Sequence, residues 1–108
     1  MKEFKGTPGP WELNYVTYVT DSSGNHLCEV LGDKTDLDED LSNAKLIAAA
    51  PELLSALQDV IKSLEITLRV GYERIIDLGG ECDIPEVMIK GHSEIARAKA
   101  AIAKALGE

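Results

Sequence analysis

Aromatic side chains are scarce in this chain: one tryptophan, three tyrosines and one phenylalanine, 5% of 108 residues. Its 44% hydrophobic content must therefore pack as an aliphatic core, within the compass of one modest domain. Positive charge is also short, with 11 Lys and Arg against 19 Asp and Glu and a formal net charge of −8. Nonspecific nucleic-acid binding and adsorption to anionic lipid both require a basic surface, so neither nucleic acid nor membrane is expected as a partner. The same balance admits a nucleic-acid mimic or a partner for a basic protein. Only two cysteines are present, Cys28 and Cys82, far apart in sequence and expected as reduced thiols. No apolar run approaches the length of a membrane span. Met1 to Lys5 carries no apolar stretch behind its charges, so no secretory leader is expected. Phosphate loops, GxSxG and HExxH motifs are missing.

What is present is organised around Asn43 to Leu57, NAKLIAAAPELLSAL. Alanine and leucine favour helix, and Leu46, Ile47, Ala50, Leu53, Leu54 and Leu57 recur at helical spacing. Pro51 interrupts the run. A proline is costly inside a helix and tolerated at its first positions, and Glu52 suits a helix N-terminus. The pattern predicts a short helix from about Ser42 to Ala50 and a new or kinked one starting at Pro51.

This segment resembles one carried by small accessory proteins of bacteriophages and prophages. Such proteins also carry a TPGPW-type segment near the start, here Thr7 to Trp11, and an alanine-rich last helix, here Ala96 to Gly107. The three pieces occur in that order, whereas residues 62–92 match nothing in the resemblance. The resemblance implies a phage-encoded accessory protein working in the host bacterial cytoplasm. It brings no catalytic residue with it.

From the residues themselves, the expected class is α+β: an N-terminal antiparallel β-hairpin, a short helix and a long antiparallel helical hairpin. The chain reads as a single domain, 1–108, in which residues 1–10 form a flexible arm. Trp11 to Thr20 and His26 to Leu31 read as two strands around the turn residues Asp21 to Asn25, with Trp11 and Tyr15 in the hairpin core. Gly32 to Asp40 reads as an acidic loop. Its alternating Asp36, Asp38 and Asp40 invite a calcium reading, but the sixth and twelfth positions hold Leu41 and Ile47 instead of glycine and glutamate. Leu57, Ile61, Leu64, Leu68 and Ile75 extend the second helix to Leu78, where Gly79-Gly80 supplies a stop; Gly71 inside it suggests a bend or a close neighbour. Asp83 is a plausible N-cap and Pro85 an early position of one last helix. Its apolar side runs through Ile84, Met88, Gly91, Ile95, Ala98, Ile102 and Leu106. Two such helices leave more apolar flank than one copy can cover, which predicts a homo-oligomer, most simply a two-fold dimer through the helices.

Candidate chemistry is thin. Cys28 with His26, and Cys82 with Asp83 and His92, match no trusted nucleophile or metal spacing, so no catalytic residue, no metal and no cofactor is assigned. Hydrolase activity is the weakest reading. Tyr72, Arg74, Lys90 and His92 are the candidate ligand-binding set: a tyrosine that stacks on a base beside cations that hold a phosphate makes a nucleotide pocket. For Arg74 the plainer reading is a pair with Glu73 or Asp77. Two functions follow as expectations. One is a non-enzymatic counter-defence protein that sequesters a nucleotide immune signal or blocks a host defence protein. The other is a structural or regulatory protein–protein module with no small-molecule ligand.

Overall fold

A computed structural model of the chain describes residues 3–31 and 36–108. The class is α+β, with an N-terminal antiparallel sheet followed by helices. The described residues form two compact units, one from Phe4 to Ser55 and the other from Ala56 to Glu108 together with Glu3.

The first unit holds a three-stranded meander, β1 (Trp11–Asn14), β2 (Tyr18–Asp21) and β3 (His26–Glu29), in the order β1-β2-β3. The sequence pattern reads the first two as one strand. In the structure the chain reverses at Tyr15 to Thr17, where Tyr15 (φ 50°) and Val16 (φ 73°) take positive φ. The Thr17 amide donates to the Tyr15 carbonyl at 2.9 Å, which makes Val16 the centre of a γ-turn. The reversal pairs Leu13 with Val19 and Trp11 with Asp21. At the next turn, Asp21 Oδ1 accepts the amides of Ser23 and Asn25, both at 2.9 Å, and Gly24 supplies φ 86°. The side-chain amide of Asn25, first, and these backbone donors hold the Asp21 carboxyl below its ordinary pKa.

Helix α1 (Leu37–Ala48) begins earlier than its apolar pattern implies. Asp36 Oδ1 accepts the amides of Asp38 (3.1 Å) and Glu39 (3.2 Å), so the described end of the acidic connection is an N-cap and first turn, not a loop. Residues 32–35, including Asp33, lie outside the described residues, as do Met1 and Lys2 of the N-terminal arm. Helix α1 packs on β1 and β2 and buries Ala44 against a core that contains Val19. Ala49 ends α1, and α2 (Ala50–Asp77) starts with Pro51 at its second position, as a proline tolerates. The Thr7–Trp11 segment is anchored: Trp11 Nε1 donates to the Thr7 carbonyl at 3.1 Å. Gly9 lies so close to Pro51 that a Cβ there would meet Pro51 Cβ at 2.6 Å.

In the second unit α2 runs unbroken through Gly71, which has open space where a side chain would stand, so neither a bend nor a close neighbour accounts for that glycine. Its 28 residues span about 42 Å. The stop is a Schellman motif: Gly79 takes φ 82°, the Gly80 amide bonds the Ile75 carbonyl and the Gly79 amide that of Ile76. The single last helix expected from the pattern is two, α3 (Pro85–Gly91) and α4 (Ser93–Leu106). They part at His92, whose extended backbone ends one and starts the other, while its Nδ1 accepts the Ile95 amide at 3.3 Å as an N-cap. Ile84, not Asp83, occupies the N-cap of α3, without a side-chain bond. Ile61, Ile95 and Ile102, with Pro85, are buried in this unit.

Candidate functional site

Two surfaces carry enough convergent chemistry to weigh. The first lies in the helical unit. Glu65 of α2, Glu86, Ile89 and Lys90 of α3, and Ile95, Ala96 and Lys99 of α4 line an open cleft of about 490 Å³. Ion pairs cross between the helices at its walls, Arg69–Glu86 at 3.2 Å and Lys99–Glu65 at 2.6 Å. The second is a charge contact without the alignment of a hydrogen bond, and Glu65 Oε1 is otherwise enclosed. The Glu86 carboxyl is held below its ordinary range by its own backbone amide and then by Arg69.

Of the four candidate ligand residues, Lys90 lines this cleft and Tyr72, Arg74 and His92 do not. Tyr72 is half-buried on α2, and Arg74 is exposed near the end of that helix. Arg74 makes no ion pair among the described residues, with Glu73, Asp77 or any other carboxylate. The Nδ1 of His92 is committed to capping α4, where it accepts the Ile95 amide.

The second surface, on the sheet, escapes the residue pattern. With one long strand, Tyr15 and Tyr18 fall on opposite faces and Tyr15 in the core. The turn at Val16 instead leaves Tyr15 76% exposed and brings it edge-on to Tyr18, ring centroids 6.2 Å apart. The His26 ring lies 4.7 Å from Tyr18 and 6.0 Å from Tyr15. The carboxylate of Glu29, the cross-strand partner of Tyr18, raises the pKa of its phenol. The result is a cluster of three rings, Tyr15 and His26 exposed and Tyr18 half-buried, with the exposed Glu29 beside them, a surface suited to the guanidinium or ammonium of a partner. Positive φ at two successive non-glycine residues costs about 1–3 kcal/mol each. Such strain needs the surrounding structure to hold it, and it is what aims Tyr15 outward. The signal that could have exposed this site was the crowding of Tyr15, Val16, Thr17 and Tyr18 into a run too long for one short strand.

Among the described residues no three His, Cys, Asp or Glu side chains gather as a metal site would require. Both cysteines are free thiols. No described helix is long and apolar enough to cross a membrane.

The model of the family described as Salmonella phage P22 protein Y8K6 matches residues 1–108. The chain belongs to that family. It is thus a phage-family protein over its whole length, and the family's name specifies no reaction. No curated protein and no solved structure matches closely enough to add a relative.

Proposed function

We propose that this phage-family protein is a non-enzymatic accessory factor that acts by stoichiometric binding of a basic host protein, in a counter-defence role. The observation that supports it is the Tyr15–Tyr18–His26 ring cluster, exposed at Tyr15 and His26, with Glu29 beside it. Tyrosine supplies large contact area at low entropic cost and is enriched where proteins meet. The net charge of −8 favours encounter with a basic partner. The same surface would serve a purely structural or regulatory module whose partner comes from the phage itself, and the identity of the captured protein separates the two.

A nucleotide immune signal is the second reading. Lys90 and Lys99 beside the apolar Ile89 and Ile95 favour it, while Glu65 and Glu86 on the same walls repel phosphate. Titration calorimetry with cyclic dinucleotides tests this reading. Heat that disappears in the Lys90→Ala variant supports it, and no heat removes it. Capture from host lysate with wild type and Tyr15→Asn tests the first. Retention of one basic protein by wild type alone is expected; equal retention by both overturns it.

A further inference from the structure

The long helix α2 carries a second unpartnered face, opposite its buried Ile61. Asp59, Ser63, Ile66, Val70 and Arg74 follow one another at three- and four-residue steps, with Thr67 alongside. All are exposed, Ile66 and Val70 by more than half. The Thr67 hydroxyl already donates to the Ser63 carbonyl at 2.9 Å, so burying it costs little. The uncharged centre is closed by opposite charges, Asp59 at one end and Arg74 at the other. Neither makes an ion pair among the described residues.

We propose that this face binds a second copy of the chain, α2 against α2, antiparallel about a two-fold axis that passes between Ile66 and Thr67. The charges select both partner and direction. Residues 59 and 74 lie equally far on either side of that axis, about 11 Å at the helical rise. Asp59 therefore faces the partner's Arg74, and Arg74 faces the partner's Asp59. Val70 meets the partner's Ser63, and Ile66 stands beside its own symmetry mate. Asp77 falls opposite Ala56 and Glu73 opposite Val60, so no carboxylate opposes another. A parallel pairing would set Asp59 on Asp59 and Arg74 on Arg74. The contact is narrow and its rim charged, which places it among weak, salt-sensitive interfaces.

Sedimentation equilibrium on the full chain tests this at low salt. Wild type is expected to self-associate at micromolar concentration. Asp59→Arg and Arg74→Glu each turn two attractions into repulsions and should weaken association by about tenfold. The double swap, Asp59→Arg with Arg74→Glu, should restore it. Circular dichroism checks that the single variants keep their helix. An independent arm uses cysteine trapping in a Cys28→Ser, Cys82→Ser background, where Ile66→Cys should form a disulfide-linked dimer and Asp59→Cys should not. Wild type that stays monomeric towards millimolar concentration overturns the proposal, as does association indifferent to the single variants. A double swap that fails to restore it overturns the register.

Discussion

The Tyr15 carbonyl accepts the Thr17 amide at 2.9 Å across Val16, whose φ of 73° belongs to a region that β-branched residues avoid. That one turn splits a run of strand-forming residues into β1 and β2 and exposes Tyr15. Glycine at position 16 would adopt the same conformation without the Cβ clash. After its own entropic penalty, Val16→Gly should stabilise the protein by about 1 kcal/mol. Urea unfolding measures this. A loss of stability would mean that the valine side chain contributes more through packing than the turn costs.

Gly9 of the N-terminal segment packs closely against Pro51 of α2. Gly9→Ala forces the Pro51 ring or the backbone to move, and should cost about 1–3 kcal/mol. Gly71→Ala, where a Cβ meets nothing, is the control and should stabilise by about 1 kcal/mol through helix propensity. Unfolding curves for the pair separate close packing from conformational entropy.

Glu86 gives the acid response of the helical unit a sign. Its carboxyl titrates below the ordinary value, held there by its own amide and by Arg69, so its folded pKa lies below its unfolded one. The stabilisation is complete above the ordinary carboxylate range and is lost as pH falls through the depressed value. Asp21 and Glu94 move in the same direction. The unfolding temperature should therefore fall between neutrality and about pH 3, and Glu86→Gln should remove part of that slope by slightly lowering stability at neutral pH while changing little near pH 3. A steeper slope in the variant would contradict the assignment.

Helix-forming periodicity made α2 legible almost end to end, with Pro51 near its start and the two glycines at its stop, because both are backbone requirements that sequence states directly. The α+β class and the antiparallel N-terminal sheet were legible for a similar reason. The reversal at residues 15–17 was hidden because no glycine, asparagine or proline marks it. The break at His92 was hidden because the apolar spacing of Met88, Ile95 and Ile102 continues through it. The start of α1 was masked by acidic residues that resemble a solvated loop, although Asp36 is a cap of ordinary type. The ring cluster had only the length of the Trp11–Thr20 run to announce it, since it depends on a turn that residue preferences argue against. Lys90 of the candidate ligand set lines the helical cleft, but which residues meet there depends on how α3 and α4 divide, and spacing along the chain does not determine that.

In the proposed function the protein works by holding another protein through Tyr15 and its neighbours. Native mass spectrometry of the tagged chain recovered from infected cells tests it most directly. The expected result is a complex of fixed stoichiometry with a basic host protein, lost on Tyr15→Asn and on Glu29→Lys while the fold is retained. Recovery of the chain without a host protein, or of the same complex from both variants, would contradict it.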